Sequence, residues 1–157
     1  MKSELWLIGK TSYKFVEEGM DLYEKRIKRY LPFETVTINP PKNAAAMNAD
    51  ILKAKEGELV LQRLKPTDYL VLLDERGKQF SSEAFAKHLE KGLNKSHTKF
   101  IMLIGGAYGF SDEVYARANE KISLSLMTVS HQLVRVILLE QFYRALSILN
   151  NEPYHHA

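Results

Sequence analysis

Five short apolar runs, separated by stretches of helical period, constrain this chain more than any other feature. The runs are Leu5-Trp6-Leu7-Ile8 and residues 35–38, 69–73, 100–104 and 122–126. Runs of this length, bounded by turn residues, suit strands covered on both faces. Between them, residues 13–30, 50–64, 81–93 and 111–119 repeat apolar side chains at helical spacing, and a long final helix is expected over residues 131–150. Ser81-Ser82-Glu83 and Ser111-Asp112-Glu113 supply capping oxygens and then acidic charge, as helix N-termini require. The alternation predicts an α/β fold, a largely parallel sheet flanked by helices, in a single domain over residues 1–157. Residues 40–49, with Pro-Pro, alanines and asparagines and no clear period, read as a loop.

Composition then removes whole classes of function. There is no cysteine, so disulfides, thiol nucleophiles and thiolate metal sites are all excluded. The five histidines show no ligand spacing, and no metal is expected. The opening apolar run is too short for a signal peptide, and no stretch approaches the roughly 18 apolar residues of a membrane span. A cytoplasmic protein without a membrane partner is the expectation. The net charge of +3 permits an acidic partner without specifying one. The run Lys25-Arg26-Ile27-Lys28-Arg29 is a basic patch, which by itself reads as a solvated helix face as readily as an RNA contact.

Three segments carry chemical information. Ile104-Gly105-Gly106-Ala107-Tyr108-Gly109-Phe110-Ser111 leaves a strand, turns through three glycines and starts a helix. Such a loop can bring main-chain N–H groups close to a nucleoside or an anion. It lacks the Gly-Lys-Ser/Thr of a Walker loop and the spacing of a dinucleotide fingerprint, and a plain tight turn fits it equally well. Leu73-Asp74-Glu75-Arg76-Gly77-Lys78 ends the middle strand in charges. Both segments fall at carboxyl ends of strands, where open parallel sheets bind ligands; a solvated turn is the plainer alternative for the second. Ser123-Leu124-Ser125-Leu126-Met127-Thr128-Val129-Ser130 leaves the last strand as an apolar, hydroxyl-bearing loop without glycine or proline. Its side chains imply burial, with main-chain groups partnered by an adenine edge or by other backbone.

The final helix has no wide polar face, which implies covering on more than one side, by its own domain or by a second copy in a homodimer. His131 and Arg135 stand one turn apart among apolar neighbours. A cation there points to a site, an interface or a bridge to a carboxylate. Glu140 and Arg144 have the i,i+4 spacing of a helix pair, although Arg144 also suits an RNA phosphate. The tail, Pro153-Tyr154-His155-His156-Ala157, offers a ring able to stack on an unpaired base, or is a frayed end.

Taken together these motifs resemble the ribosomal large subunit methyltransferase H family, a minimal branch of the SPOUT methyltransferases. The likeness rests on Leu73-Asp74 with Gly77-Lys78, Ile104-Gly105-Gly106 with Gly109, Ser123 through Met127-Thr128, His131-Gln132, Arg135-Val136, Glu140-Gln141, Tyr143-Arg144-Ala145 and Pro153-Tyr154-His155. It runs from the first strand to the tail. The resemblance implies a SPOUT-type sheet with a C-terminal deep trefoil knot, a homodimer, and methyl transfer from S-adenosylmethionine to N3 of a pseudouridine in 23S ribosomal RNA within the ribosome. It implies cofactor contacts at Leu73, Gly105, Leu124, Ser125, Leu126, Met127, Thr128 and Val129, with Arg144, Tyr154 and His155 toward the RNA. Ser130 stands where the family commonly has proline, and His156 where it commonly has lysine or arginine.

The acceptor N3 must lose its proton. His155 is the first candidate for the base, with Glu140 and His131 behind it, and Arg135 or Arg144 would stabilise the developing charge and contact the RNA. Two rivals differ in kind: a phosphate-binding α/β enzyme, and a ribosome-binding module without catalysis.

Overall fold

The computed structural model describes residues 2–156. Strands β1 (Lys2–Ile8), β2 (Phe33–Ile38), β3 (Tyr69–Gln79), β4 (Lys99–Ile104) and β5 (Glu120–Ser123) alternate with helices α1 (Lys14–Ile27), α2 (Ala49–Arg63), α3 (Ser82–Leu93), α4 (Asp112–Arg117) and α5 (Leu133–Leu149). One turn of 3₁₀ helix, Ala44–Ala46, interrupts the loop expected over residues 40–49. The helix starts follow the capping chemistry: the Asn48, Ser81 and Ser111 side chains accept the amides of Ile51, Ala84 and Val114.

The strands form one sheet in the order β2-β1-β4-β3-β5, and every pairing is parallel. Strand periodicity sorts the core into two layers. Leu5, Leu7, Tyr69, Val71, Phe100 and Met102 point to the side covered by α1, α3 and α5. Trp6, Ile8, Leu70, Leu72, Ile101 and Leu103 point to the side covered by α2 and α4. Both sides are apolar, which is why the runs in the sequence are continuous instead of alternating. Steps toward the β2 edge carry their helix on the first side, and steps toward the β5 edge on the second. A single crossover hand demands this arrangement.

Two elements depart from expectation. The charges at residues 74–78 do not end β3. Its ladder with β5 runs through Leu73–Ile122, shifts register, and resumes at Lys78–Ile122 and Gln79–Ser123, so that Asp74 to Gly77 bulge outward. Gly77 is needed here for close approach, since a Cβ would lie 2.6 Å from the Ile122 main chain. β5 itself stops at Ser123, three residues before the expected end.

Helix α5 lies across the first side of the sheet between α1 and α3, with Leu138, Leu139, Phe142, Ala145 and Leu146 buried. This contact with sheet and two flanking helices accounts for its missing polar face. Arg135 sits inside that packing at 1% exposure. Among the described residues it bridges to no carboxylate. Its guanidinium donates to Ile8 O at 3.1 Å, to Thr11 Oγ1 at 3.0 Å and to His131 O at 3.2 Å. Burial lowers its pKa from the ordinary arginine value, yet the group stays protonated and satisfied by oxygen acceptors. Gln132 adds two bonds in the same region, accepting the Ser12 amide and donating to Lys10 O. Arg135, expected near RNA, instead ties the start of α5 to the end of β1.

Candidate cofactor cleft and tail cluster

At their carboxyl ends, β3 passes to α3 on one side of the sheet and β4 to α4 on the other. Chains diverging in this way leave a crevice between neighbouring strands. A cleft of about 570 Å³ occupies that place, lined by Leu73 and Ile104, the last pair of the β3–β4 ladder. One wall is the glycine turn from Gly105 to Phe110, the other the segment from Ser123 to Val134, and Asp74 to Arg76 with Tyr115 form the rim. Gly109 adopts φ +82° and its amide donates to Gly106 O at 3.2 Å, which closes the turn.

Of the cofactor candidates, Leu73, Gly105, Leu124, Ser125, Met127, Thr128 and Val129 all line this cleft, and so does His131. Leu126 does not. The loop is not buried as expected: Leu126 is 78% and Met127 79% exposed. The reason lies in its own hydroxyls. Ser123 Oγ donates to Ser125 O, Ser125 Oγ accepts the Met127 amide at 2.9 Å, and Ser130 Oγ accepts the Leu133 amide at 3.1 Å. Polar main-chain groups thus find partners locally, and the loop can stand against solvent with apolar side chains outward.

The rim contains a residue that sequence reasoning missed. Tyr115 on α4 donates its hydroxyl to Asp74 and accepts from Arg76 Nη2 at 2.7 Å, while the Arg76 amide donates to Asp74 Oδ1 at 2.8 Å. Burial pushes the Asp74 carboxyl up, but the bonds from Tyr115 and Arg76 outweigh it and hold the group below the usual carboxylate range. No local signal marked Tyr115, which lies 41 positions from Asp74.

The remaining candidates gather elsewhere. Glu140 Oε1 accepts from Arg144 Nη2 at 2.5 Å and from the Tyr154 hydroxyl at 3.0 Å. The Arg144 guanidinium lies 4.7 Å from the Tyr154 ring centroid, and Tyr143 meets that ring edge-on at 4.6 Å. His155 completes the group, with Nδ1 3.1 Å from Arg144 Nη1 and Nε2 2.9 Å from Glu83 Oε1. Guanidinium nitrogens only donate, so this arrangement assigns the imidazole hydrogen to Nε2. Burial, then bonds to Tyr23 and Glu140, push the Tyr154 hydroxyl well above its ordinary pKa, so it remains a donor. Tyr154 and His155 therefore fold back on α5 instead of fraying, and Ala157 lies outside the described residues. Glu83 is the member that sequence reasoning assigned only to a helix start.

None of Glu140, Arg144, Tyr154 and His155 lines the cleft of its own chain. Arg144 lies ten residues beyond the cleft residue Val134 along α5, roughly 15 Å at the helical rise. Among the described residues no group of three or more His, Asp or Glu side chains converges as metal ligands. Nor, among the described residues, is any helix long and apolar enough to cross a membrane.

Comparison with known proteins follows the same outline. A family profile described as "Predicted SPOUT methyltransferase" matches residues 1–155. The protein called "Ribosomal RNA large subunit methyltransferase H" in Cytophaga hutchinsonii is 50% identical over 99% of this chain and 100% of its own length. Proteins of that name from Parabacteroides distasonis and Bacteroides thetaiotaomicron are 50% and 45% identical over 99% of both chains. Among solved structures, a probable methylase family protein from Haemophilus influenzae Rd KW20 superposes with a TM-score of 0.55 at 12% identity, covering 95% of this chain and 66% of that one. That likeness concerns the fold alone.

Proposed function

This chain belongs to the SPOUT methyltransferase family, and on that premise we propose that it transfers a methyl group from S-adenosylmethionine to N3 of a pseudouridine in 23S ribosomal RNA, on the assembled ribosome and as a homodimer. The observation that carries the reading is the cleft at the diverging strand ends, built from the segments around Leu73, Gly105 and Thr128. Its donor set suits an adenosyl group. Leu73, Ile104 and Val134 offer apolar surface, and the glycine turn brings main chain to the cleft without bulky side chains at Gly105 and Gly106. When bound, S-adenosylmethionine supplies a methyl carbon activated by a positively charged sulfur.

The tail cluster answers the other half of the chemistry. In it, Arg144 is shared among Glu140, His155 and the Tyr154 ring. A substrate oxygen that recruits the guanidinium leaves His155 Nδ1 free to accept the N3 proton. Glu83 at Nε2 then steadies the imidazolium, as a carboxylate does for a catalytic histidine. Glu140 is already occupied by donors from Arg144, Tyr154 and Gln141, which makes it the orienting group. His131, on the cleft itself, is the alternative base.

The distance between cluster and cleft in one chain favours a site completed by the tail of a partner subunit. Exposed apolar side chains on α1 and beside the cleft, Phe15, Leu22, Leu126 and Met127, are consistent with such a partner. A C-terminal knot fits the path of the chain. After β5 it returns across the ends of β3 and β4 to reach β1, past the connection that leaves β4 for the opposite side.

The test is direct. Ribosomes from a strain lacking the gene are incubated with the protein and methyl-tritiated S-adenosylmethionine, and the 23S RNA is digested for mass spectrometry. Label in N3-methylpseudouridine is expected. Label in any other nucleoside, or none, sinks the reading.

A further inference from the structure

Helix α2 lies against the glycine turn, with the Glu56 carboxylate next to Gly106. A Cβ on Gly106 would lie 2.8 Å from Oε2 and 2.9 Å from Oε1 of Glu56. One position along, Gly57 faces Ser111 and Val114, where the turn runs into α4, and a Cβ there would collide with the Ser111 hydroxyl. One glycine on the turn and one on the helix therefore permit this close approach.

Glu56 is 6% exposed. Among the described residues it makes no hydrogen bond and no ion pair, and burial alone acts on its carboxyl, pushing the pKa up. A carboxyl so largely withdrawn from water and without a protein partner carries a desolvation cost, even where its oxygens keep a little solvent contact. The turn shows the complementary lack. The Gly109 amide is taken by Gly106 O, while among the described residues the amides of Ala107 and Tyr108 donate to no main-chain acceptor.

We propose that Glu56 is a positioning residue for the cofactor cleft, its carboxylate accepting main-chain N–H groups of the segment 106–108 when the turn closes on the methyl donor. Donor affinity then depends on a residue that does not itself line the cleft. The empty protein carries the cost of the lone carboxyl, and the loaded protein recovers it. The inference rests on S-adenosylmethionine being the ligand of this cleft.

Calorimetry and thermal unfolding of the full chain, wild type against Glu56→Gln and Glu56→Leu, separate the possibilities. Glu56→Leu is expected to bind S-adenosylmethionine at least about tenfold more weakly, the size of one lost hydrogen bond to a charged acceptor. Glu56→Gln, which keeps one acceptor oxygen, should fall between it and wild type. The melting temperature of both empty variants should equal or exceed that of wild type, because a lone buried charge has been removed. Hydrogen exchange should slow at Ala107 and Tyr108 on donor binding in wild type only. Donor binding within twofold of wild type in Glu56→Leu overturns the proposal, as does equal exchange protection in wild type and variants. A joint fall of melting temperature and affinity in Glu56→Leu, with both retained in Glu56→Gln, makes Glu56 a packing residue and also overturns it. If wild type itself binds no donor, the failure belongs to the methyl-transfer reading, and this inference falls with it.

Discussion

Arg135 illustrates how much one side chain can hold. Three donors of one planar group reach the end of β1, the loop after it and the start of α5. An ammonium is a point charge and cannot reproduce that fork. Arg135→Lys is expected to lose about 2–3 kcal/mol in urea denaturation, because it leaves buried carbonyls unpartnered. A loss under about 0.5 kcal/mol would show those acceptors to be satisfied otherwise. Asp74 makes a prediction about pH. Hydrogen bonds from Tyr115 and Arg76 hold its folded pKa below the ordinary value of 3.8. Its contribution is therefore complete above pH 3.8 and is lost as pH falls through the lower, folded value. Asp74→Asn should flatten stability against pH in that acidic window and leave the slope above it unchanged. An unaltered acid limb in the variant would refute this.

At the scale of elements, the pairing of β3 with β5 decides whether the cleft has a second wall. The register shift lets charged residues bulge to the rim while the ladder resumes at Lys78, and Gly77 makes the approach possible. Gly77→Ala places a methyl against the Ile122 main chain. We expect a loss of about 2–4 kcal/mol, since backbone cannot move aside as a flexible side chain can. The same substitution should loosen residues 123–130 and abolish measurable donor binding by calorimetry. Retained binding would mean that the wall does not depend on β5. Ser130 belongs here as well. Its hydroxyl accepts the Leu133 amide and so satisfies a free N–H where the last helix starts.

For the whole molecule, the spacing between cleft and tail cluster sets the prediction. If each site takes its cleft from one subunit and its tail from the other, an inactive tail variant (Arg144→Ala) and an inactive cleft variant (Gly105→Val) should complement. Random re-pairing gives half mixed dimers, each with one intact site of two, so about one quarter of wild-type activity should return. Activity that stays at the level of the two variants alone would place both halves of the site in one chain. Sedimentation of the mixture reads the dimer independently of catalysis.

Much of this was legible along the chain, for physical reasons that are local. Apolar run length fixed the strands, and the Ser81 and Ser111 hydroxyls marked helix starts. Glycines at a strand-to-helix junction located the turn that lines the cleft. What tertiary structure alone decided depends on groups far apart in sequence. Two of the three partners of Arg135 lie more than 120 positions away, and two of the three are main-chain oxygens, which no side-chain pattern announces. Tyr115 and Glu83 gained their places at the rim and in the tail cluster only when the sheet order was set. The sequence also misjudged the loop from Leu124 to Val129, because apolar side chains imply burial while its serine hydroxyls, bonding their own backbone, make exposure tolerable.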